Sequence, residues 1–128
     1  MLKLQEIILD TDRLFIGEAV PEVYLTDYYV KDIPAVHAVA LPKTHQEVME
    51  LVKYANANDL LIIARGAGTG VAGAQVPIHG NELIIDLNLM NRIIELDEET
   101  FTLTVEPGVL VGEIHQFVES IMKKLRRN

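Results

Sequence analysis

Four of the eight glycines in this 128-residue chain fall within eight positions, Gly66, Gly68, Gly70 and Gly73. They follow an apolar run, Leu60 to Ala64, and a single arginine, Arg65. Glycine weakens both helices and strands, so four together make a loop whose backbone takes positive φ and comes close to something. Consecutive N–H groups lining a concavity bind anions, phosphate above all. Thr69 adds a hydroxyl donor and Arg65 a fixed positive charge. The stretch reads as a cradle for a diphosphate.

Three kinds of glycine-rich phosphate loop compete for it. A Walker A loop needs Lys-Ser or Lys-Thr after its last glycine. No lysine occurs between Lys53 and Lys123, which removes that reading. Gly68-Thr-Gly70-Val-Ala-Gly73 matches the dinucleotide fingerprint G-x-G-x-x-G, and Asp86 lies downstream. That fingerprint must open a helix whose N-terminus faces the pyrophosphate. Pro77 and Gly80 follow too soon for a long helix. The remaining reading is a free-standing loop that holds phosphates without a helix.

The elements around the loop must hold it in place. Val36 to Leu41 predicts a strand ended by Pro42. Thr44-His-Gln-Glu47 is a capping box that opens a helix, with Val48, Leu51, Val52 and Ala55 at helical spacing. Asn56, Asn58 and Asp59 end it. Leu60 to Ala64 is apolar on both faces, which predicts a buried parallel strand. Residues 36–64 then form a β-α-β unit with the glycine loop at the carboxyl end of its second strand, where ligands bind in open α/β sheets. Leu83 to Leu87 predicts a third strand, and Asp86 is read equally as an acceptor for loop N–H groups or as a turn cap. Arg92 to Leu96 and Phe101 to Val105 flank Asp97-Glu-Glu-Thr100 as a hairpin, and Glu106-Pro107-Gly108 breaks the pattern. From Val111 a helix is expected, with Ile114, Phe117, Val118, Ile121, Met122 and Leu125 on one apolar core face. At the other end, residues 1–9 read as helical through Leu2, Ile7, Ile8 and Leu9. Residues 10–35 carry no period and are punctuated by Pro21, Asp27, Asp32 and Pro34. Tyr24, Tyr28 and Tyr29 are read as packing this arm onto the domain.

Composition excludes several function classes. Apolar residues are 49% and charged ones 23%, as in ordinary globular domains. A net charge of −8 argues against a nucleic-acid partner. The basic run Lys123, Lys124, Arg126 and Arg127 suits a helix C-terminus. With no cysteine there is no disulfide, thiolate zinc site, iron–sulfur cluster or thiol catalysis. No apolar run reaches the length of about 20 residues that spans a membrane, and the first residues do not read as a signal peptide, so a cytoplasmic protein is expected. His37, His45, His79 and His115 have no metal-binding spacing. Ser120 has no nucleophile elbow. No metal site and no catalytic residue is assigned; redox chemistry would come from a cofactor, with the protein supplying position.

Arg65-Gly-Ala-Gly-Thr-Gly-Val-Ala-Gly73 resembles the pyrophosphate loop of FAD-linked oxidases with the vanillyl-alcohol-oxidase (PCMH-type) flavin fold, within them the glycolate oxidase D-subunit and D-lactate dehydrogenase group. Ala40-Leu-Pro42, Asp86-Leu-Asn-Leu-Met90-Asn-Arg-Ile93 and Val105-Glu-Pro-Gly108 follow that family's order, and together the matches span roughly Val36 to Glu119. The resemblance implies an α/β (α+β) fold: a small, mostly parallel sheet with flanking helices and a β-hairpin, the first lobe of a PCMH-type domain. It implies an N-terminal arm over 1–35 and a partial FAD-binding domain over 36–128, without the second lobe and the substrate cap. It implies non-covalent FAD, since Thr69 stands where some relatives carry the linking histidine. Its contacts would come from Arg65, Gly66, Ala67, Gly68, Thr69, Gly70, Gly73, Pro107 and Gly108. The implied function is the FAD-binding portion of a flavin-dependent oxidoreductase acting on a 2-hydroxy acid such as glycolate or D-lactate. The alternative is a truncated or split remnant that binds no flavin alone and serves as a packing partner. Departures at Ala74 and after Glu119 are the basis for expecting a truncated or split product, inactive in isolation. Its partners would then be the missing remainder or a second copy.

Overall fold

The structure is a computed structural model and describes residues 1–27 and 35–127. A four-stranded sheet carries the order β1-β2-β4-β3, with β1 Leu14–Ile16, β2 Ala38–Ala40, β3 Leu61–Arg65 and β4 Glu82–Asp86. β4 lies parallel between β2 and β3, and β1 pairs antiparallel with β2, Phe15 opposite Val39. The predicted β-α-β unit is present, but its two strands are not neighbours, because β4 inserts between them. Helix α2, His45–Ala57, makes the crossover, after the single turn α1, Leu4–Ile7.

The sheet is covered on both faces. Leu83 and Ile85 of β4 pack with Ala38, Ala40, Leu51 and Ala55 on the helical side, joined by Leu4, Ile7 and Ile8. Ile84 and Val39 point the other way, onto Val20, Tyr24 and Val36. This alternation is the period of two of a strand buried on both sides. Every residue of β4 is buried. The expectation of a fully buried strand therefore belongs to β4. β3 is an edge strand, with Leu61 and Ile62 about half exposed, so its apolar run was misleading.

The Thr44 hydroxyl caps α2 by accepting from the Glu47 N–H at 3.1 Å, and Glu47 reaches back to the Lys43 N–H. The Glu47 carboxylate also takes a two-pronged contact from Arg13, at 3.0 and 3.1 Å, which ties the N-terminal arm to this helix. Burial opposes ionisation of Glu47, but Arg13 and the cap N–H groups outweigh it and hold the carboxyl below its ordinary range. Of the nine N-terminal residues expected to be helical, only Leu4–Ile7 are; Leu2 and Leu9 point to solvent while Leu4, Ile7 and Ile8 seal the core. Residues 10–27 contain β1 and three short 3₁₀ turns, an irregular mix whose order comes from pairing with β2. Tyr24 packs on the sheet as expected, whereas Tyr28, Tyr29, Asp32 and Pro34 lie outside the described residues.

The hairpin, β5 Ile93–Asp97 and β6 Thr102–Val105, forms a separate two-stranded sheet. Asp97 Oδ1 accepts the Glu99 and Thr100 N–H groups in its turn, and Phe101, at φ 55°, leaves the strand. Helix α3, Val111–Arg127, is amphipathic as predicted, but no residue of it is buried. Val118, Ile121, Met122 and Leu125 face Leu96, Phe101 and Leu103 across an open groove of about 680 Å³. The stripe is thus not a core face within the described chain; Met122 and Leu125 stay about half exposed. No helix among the described residues is long and apolar enough to cross a membrane.

Candidate functional site

β3 ends at Arg65, and the chain leaves the sheet there. Leu87 N–H donates to the Arg65 carbonyl at 2.9 Å, so the sheet grips the first residue of the loop. Between Arg65 and β4 there are only turns and bends, with no helix. The G-x-G-x-x-G match is therefore not a helix-opening fingerprint, and the loop is free-standing.

Its carbonyls are held from behind. Asn88 Nδ2 donates to the Gly66 carbonyl at 2.7 Å, and Gln75 Nε2 donates to those of Gly68 and Gly70 at 3.0 and 2.8 Å. Asp27 Oδ2 accepts the Gly73 N–H at 3.0 Å. The N–H groups of residues 67–72 make no hydrogen bond among the described residues. With carbonyls tied down and N–H groups free, the loop presents a row of donors, the arrangement that binds anions.

Arg65 lies beneath this row. It is only 7% exposed; its guanidinium carbon sits 5.0 Å from the centre of the Tyr24 ring, and Nη2 donates to the Val23 carbonyl at 3.2 Å. Its Nη1 is buried with no partner among the described residues, and no carboxylate there pairs with it. A buried cation with a donor left bare among the described residues is unfavourable. A negatively charged ligand over the loop would relieve it electrostatically, so the residues fit a diphosphate. Gly68, at φ 71°, is where glycine is required: a Cβ there would stand 2.7 Å from Arg65 Cζ. Gly66, by contrast, has open space around it. Thr69 and Ala67 are exposed on the loop.

Asp86 acts as a turn cap. Its Oδ1 accepts both the N–H and the Nδ2 of Asn88, at 2.9 and 2.6 Å, and its Oδ2 accepts the Tyr24 hydroxyl at 2.6 Å. No loop N–H reaches it. Burial, then the hydrogen bond to Asp86, pushes the Tyr24 hydroxyl well above its ordinary value, so it is a fixed donor. Behind the loop, Glu82 is buried and accepts the N–H groups of Ile78, His79 and Gly80 at 2.9, 2.6 and 2.8 Å.

Gly108 is buried and Pro107 exposed. A Cβ on Gly108 would stand 2.8 Å from the carbonyls of Asn88 and Met90 and would also meet that of Leu87. The close approach at Gly108 is thus to the chain's own backbone, and it brings Glu106-Pro107-Gly108 against the turn whose Asn88 reaches Gly66. Glu106 accepts the Arg92 Nε and N–H at 2.7 and 2.9 Å; Arg92 holds its carboxyl below the usual range. Sequence reasoning missed Tyr24, Asp27, Gln75 and Asn88 as loop supports. Only Asp86-x-Asn88 carried a local signal, the spacing of an Asx turn. His37 meets the Tyr54 hydroxyl, while His45, His79 and His115 are exposed.

A family model described as FAD binding domain matches residues 36–125. The chain belongs to the FAD binding domain family. FAD is accordingly the cofactor of this domain, and the mixed α/β sheet, crossover helix and hairpin are the elements of this family's fold. Two curated relatives are a D-2-hydroxyglutarate dehydrogenase of Stutzerimonas stutzeri, 30% identical over 89% of this chain, and the glycolate oxidase subunit GlcD of Bacillus subtilis, 35% identical over 65%. Among solved structures, p-cresol methylhydroxylase with substrate bound superposes with a TM-score of 0.73 at 26% identity over 92% of this chain. An alkyldihydroxyacetonephosphate synthase shares the fold, with a TM-score of 0.74 at 21% identity over 86%. The chain covers 23%, 17%, 23% and 22% of these proteins respectively, so it spans less than a quarter of their length.

Proposed function

We propose that this FAD binding domain holds the cofactor's diphosphate for a flavin-dependent oxidoreductase acting on a 2-hydroxy acid of the glycolate, D-lactate or D-2-hydroxyglutarate type. The observation that carries it is the row of N–H groups, unpaired among the described residues, above a buried Arg65 whose Nη1 has no partner there. The substrate class rests on the names of the relatives. Bound FAD supplies the two-electron acceptor for oxidising the carbon that bears the hydroxyl. This chain's own residues bind and orient. The N–H groups of Gly66, Ala67, Gly68, Thr69 and Gly70 and the Thr69 hydroxyl donate to phosphate oxygens. Gly73 anchors the far end of the loop through Asp27. Arg65 acts from below as fixed charge rather than as an exposed ligand, and Pro107 and Gly108 flank the site. The N-terminal arm over residues 1–35, non-covalent attachment, a cytoplasmic setting and a partner that supplies further walls belong to the same proposal.

An isoalloxazine ring binds well only when both faces are covered, and among the described residues Pro107 and Gly108 offer it one wall. The isolated chain should therefore bind FAD and ADP saturably on titration, followed by flavin fluorescence and calorimetry, yet lose FAD on gel filtration. A folded chain that binds neither at millimolar concentration overturns the proposal.

A further inference from the structure

Gln75 lies outside the glycine run, and no motif singles it out. Its side chain nevertheless bridges two turns of the loop, with Nε2 donating to the carbonyls of both Gly68 and Gly70. Its Oε1 is the atom nearest a Cβ built on Gly70, at 2.9 Å, so the amide packs closely against Gly70. A peptide plane has two ends. Fixing the carbonyls of Gly68 and Gly70 fixes the directions of the next N–H groups, those of Thr69 and Val71, which belong to the unpaired row. These two planes turn about the ψ angles of Gly68 and Gly70, which no Cβ restricts. Without a clamp, the 68–69 and 70–71 planes would sample orientations with oxygen toward the ligand, which repels phosphate.

We infer that Gln75 is a positioning residue for the cofactor diphosphate: it holds the Gly68 and Gly70 carbonyls away from the ligand face and so fixes the Thr69 and Val71 N–H groups as phosphate donors. The inference rests on the FAD-binding reading above. Gln75 touches no phosphate itself and acts through the loop. Its amide is suited because one NH₂ serves two acceptors, whereas a carboxylate of the same shape accepts only and would repel both carbonyls.

The test uses the full 128-residue chain with ADP and adenosine as probes, since the two share a base and sugar and differ in the diphosphate. Affinities are measured by calorimetry and amide NMR for wild type, Gln75→Met and Gln75→Glu. In wild type, ADP binds more tightly than adenosine. In Gln75→Met the ADP affinity falls at least about fivefold, from losing two neutral hydrogen bonds, while the adenosine affinity is unchanged. Gln75→Glu falls further. A merely structural role would lower the melting temperature and leave the ADP-to-adenosine ratio untouched, and that result overturns the inference. Should the variants fail to fold, wild type decides alone: the Thr69 and Val71 amides must show larger ADP-induced shifts than those of residues 74–76, and uniform shifts count against it. Failure of wild type to bind ADP refutes instead the FAD-binding reading.

Discussion

Replacing Gly68 by valine puts a branched side chain where two constraints coincide. The residue sits at φ 71°, which costs an L-residue about 1–2 kcal/mol, more when it is β-branched. The new Cβ would also stand 2.7 Å from Arg65 Cζ. An arginine at the surface would swing aside. This one is 7% exposed, stacked on Tyr24 and bonded to the Val23 carbonyl, so yielding breaks both contacts. Overpacking of this kind costs about 1–3 kcal/mol. The sum, ~2–5 kcal/mol, corresponds to a drop of about 8–20 °C in melting temperature for a domain of this size. ADP or FAD affinity should fall at least about tenfold, equivalent to ~1.4 kcal/mol. Helix α2 lies on the other side of the sheet, so far-UV circular dichroism at 10 °C should keep its helical signal. Gly66→Ala is the control: with open space around it, its stability stays within about 0.5 kcal/mol of wild type. If Gly68→Val melts with wild type and binds ADP equally well, neither the strain nor the cradle is real.

Other consequences are open to direct measurement. Burial opposes ionisation of Glu82, but the N–H groups of His79, Ile78 and Gly80 outweigh it and lower its pKa. The resulting stability is full above the unfolded carboxyl range and is lost as pH falls through the lowered folded value. Gln at position 82 should therefore cost about 2 kcal/mol at pH 7, with the gap closing in acid; a pH-independent gap in urea melts argues against this. Gly108→Ala meets backbone carbonyls that cannot move aside and should lose about 3 kcal/mol in thermal melts, whereas a wild-type melting point would mean that the turn at Leu87–Met90 is misplaced. FAD should leave the protein entirely on acid denaturation, and a flavin mass adduct surviving it would contradict the non-covalent reading. The apolar groove between the hairpin and α3 should drive self-association that Met122→Lys with Leu125→Lys reduces in light scattering; unaltered sizing in the double variant would move the contact elsewhere.

Much of the frame was legible because its signals are local. The capping box at Thr44, the spacing of Leu51 and Ala55, the hairpin around Asp97 and the helix-breaking Pro77 each act within a few residues of themselves. Burial was not local. The run Leu60 to Ala64 and the run Leu83 to Leu87 look alike as sequence, yet one is an edge strand and the other the centre of the sheet, since strand order depends on partners far along the chain. The stripe on α3 announced an apolar face correctly but not whether anything covers it. At the site, the glycine spacing revealed the loop and Arg65 its charge. What aims the loop was legible only at Asn88, through its Asx spacing: Asp27, Gln75 and Asn88 come from three separate regions, and only folding brings them to the loop's peptide groups.

In the proposed function the N–H row of the glycine loop receives the FAD diphosphate. Amide chemical-shift mapping of the wild-type chain during titration with FAD tests it most directly. The N–H resonances of residues 66–71 should move most and follow a single saturating curve, and ADP should reproduce these shifts whereas riboflavin should not. Shifts confined to the α3–hairpin groove, or riboflavin reproducing the loop pattern, would contradict it.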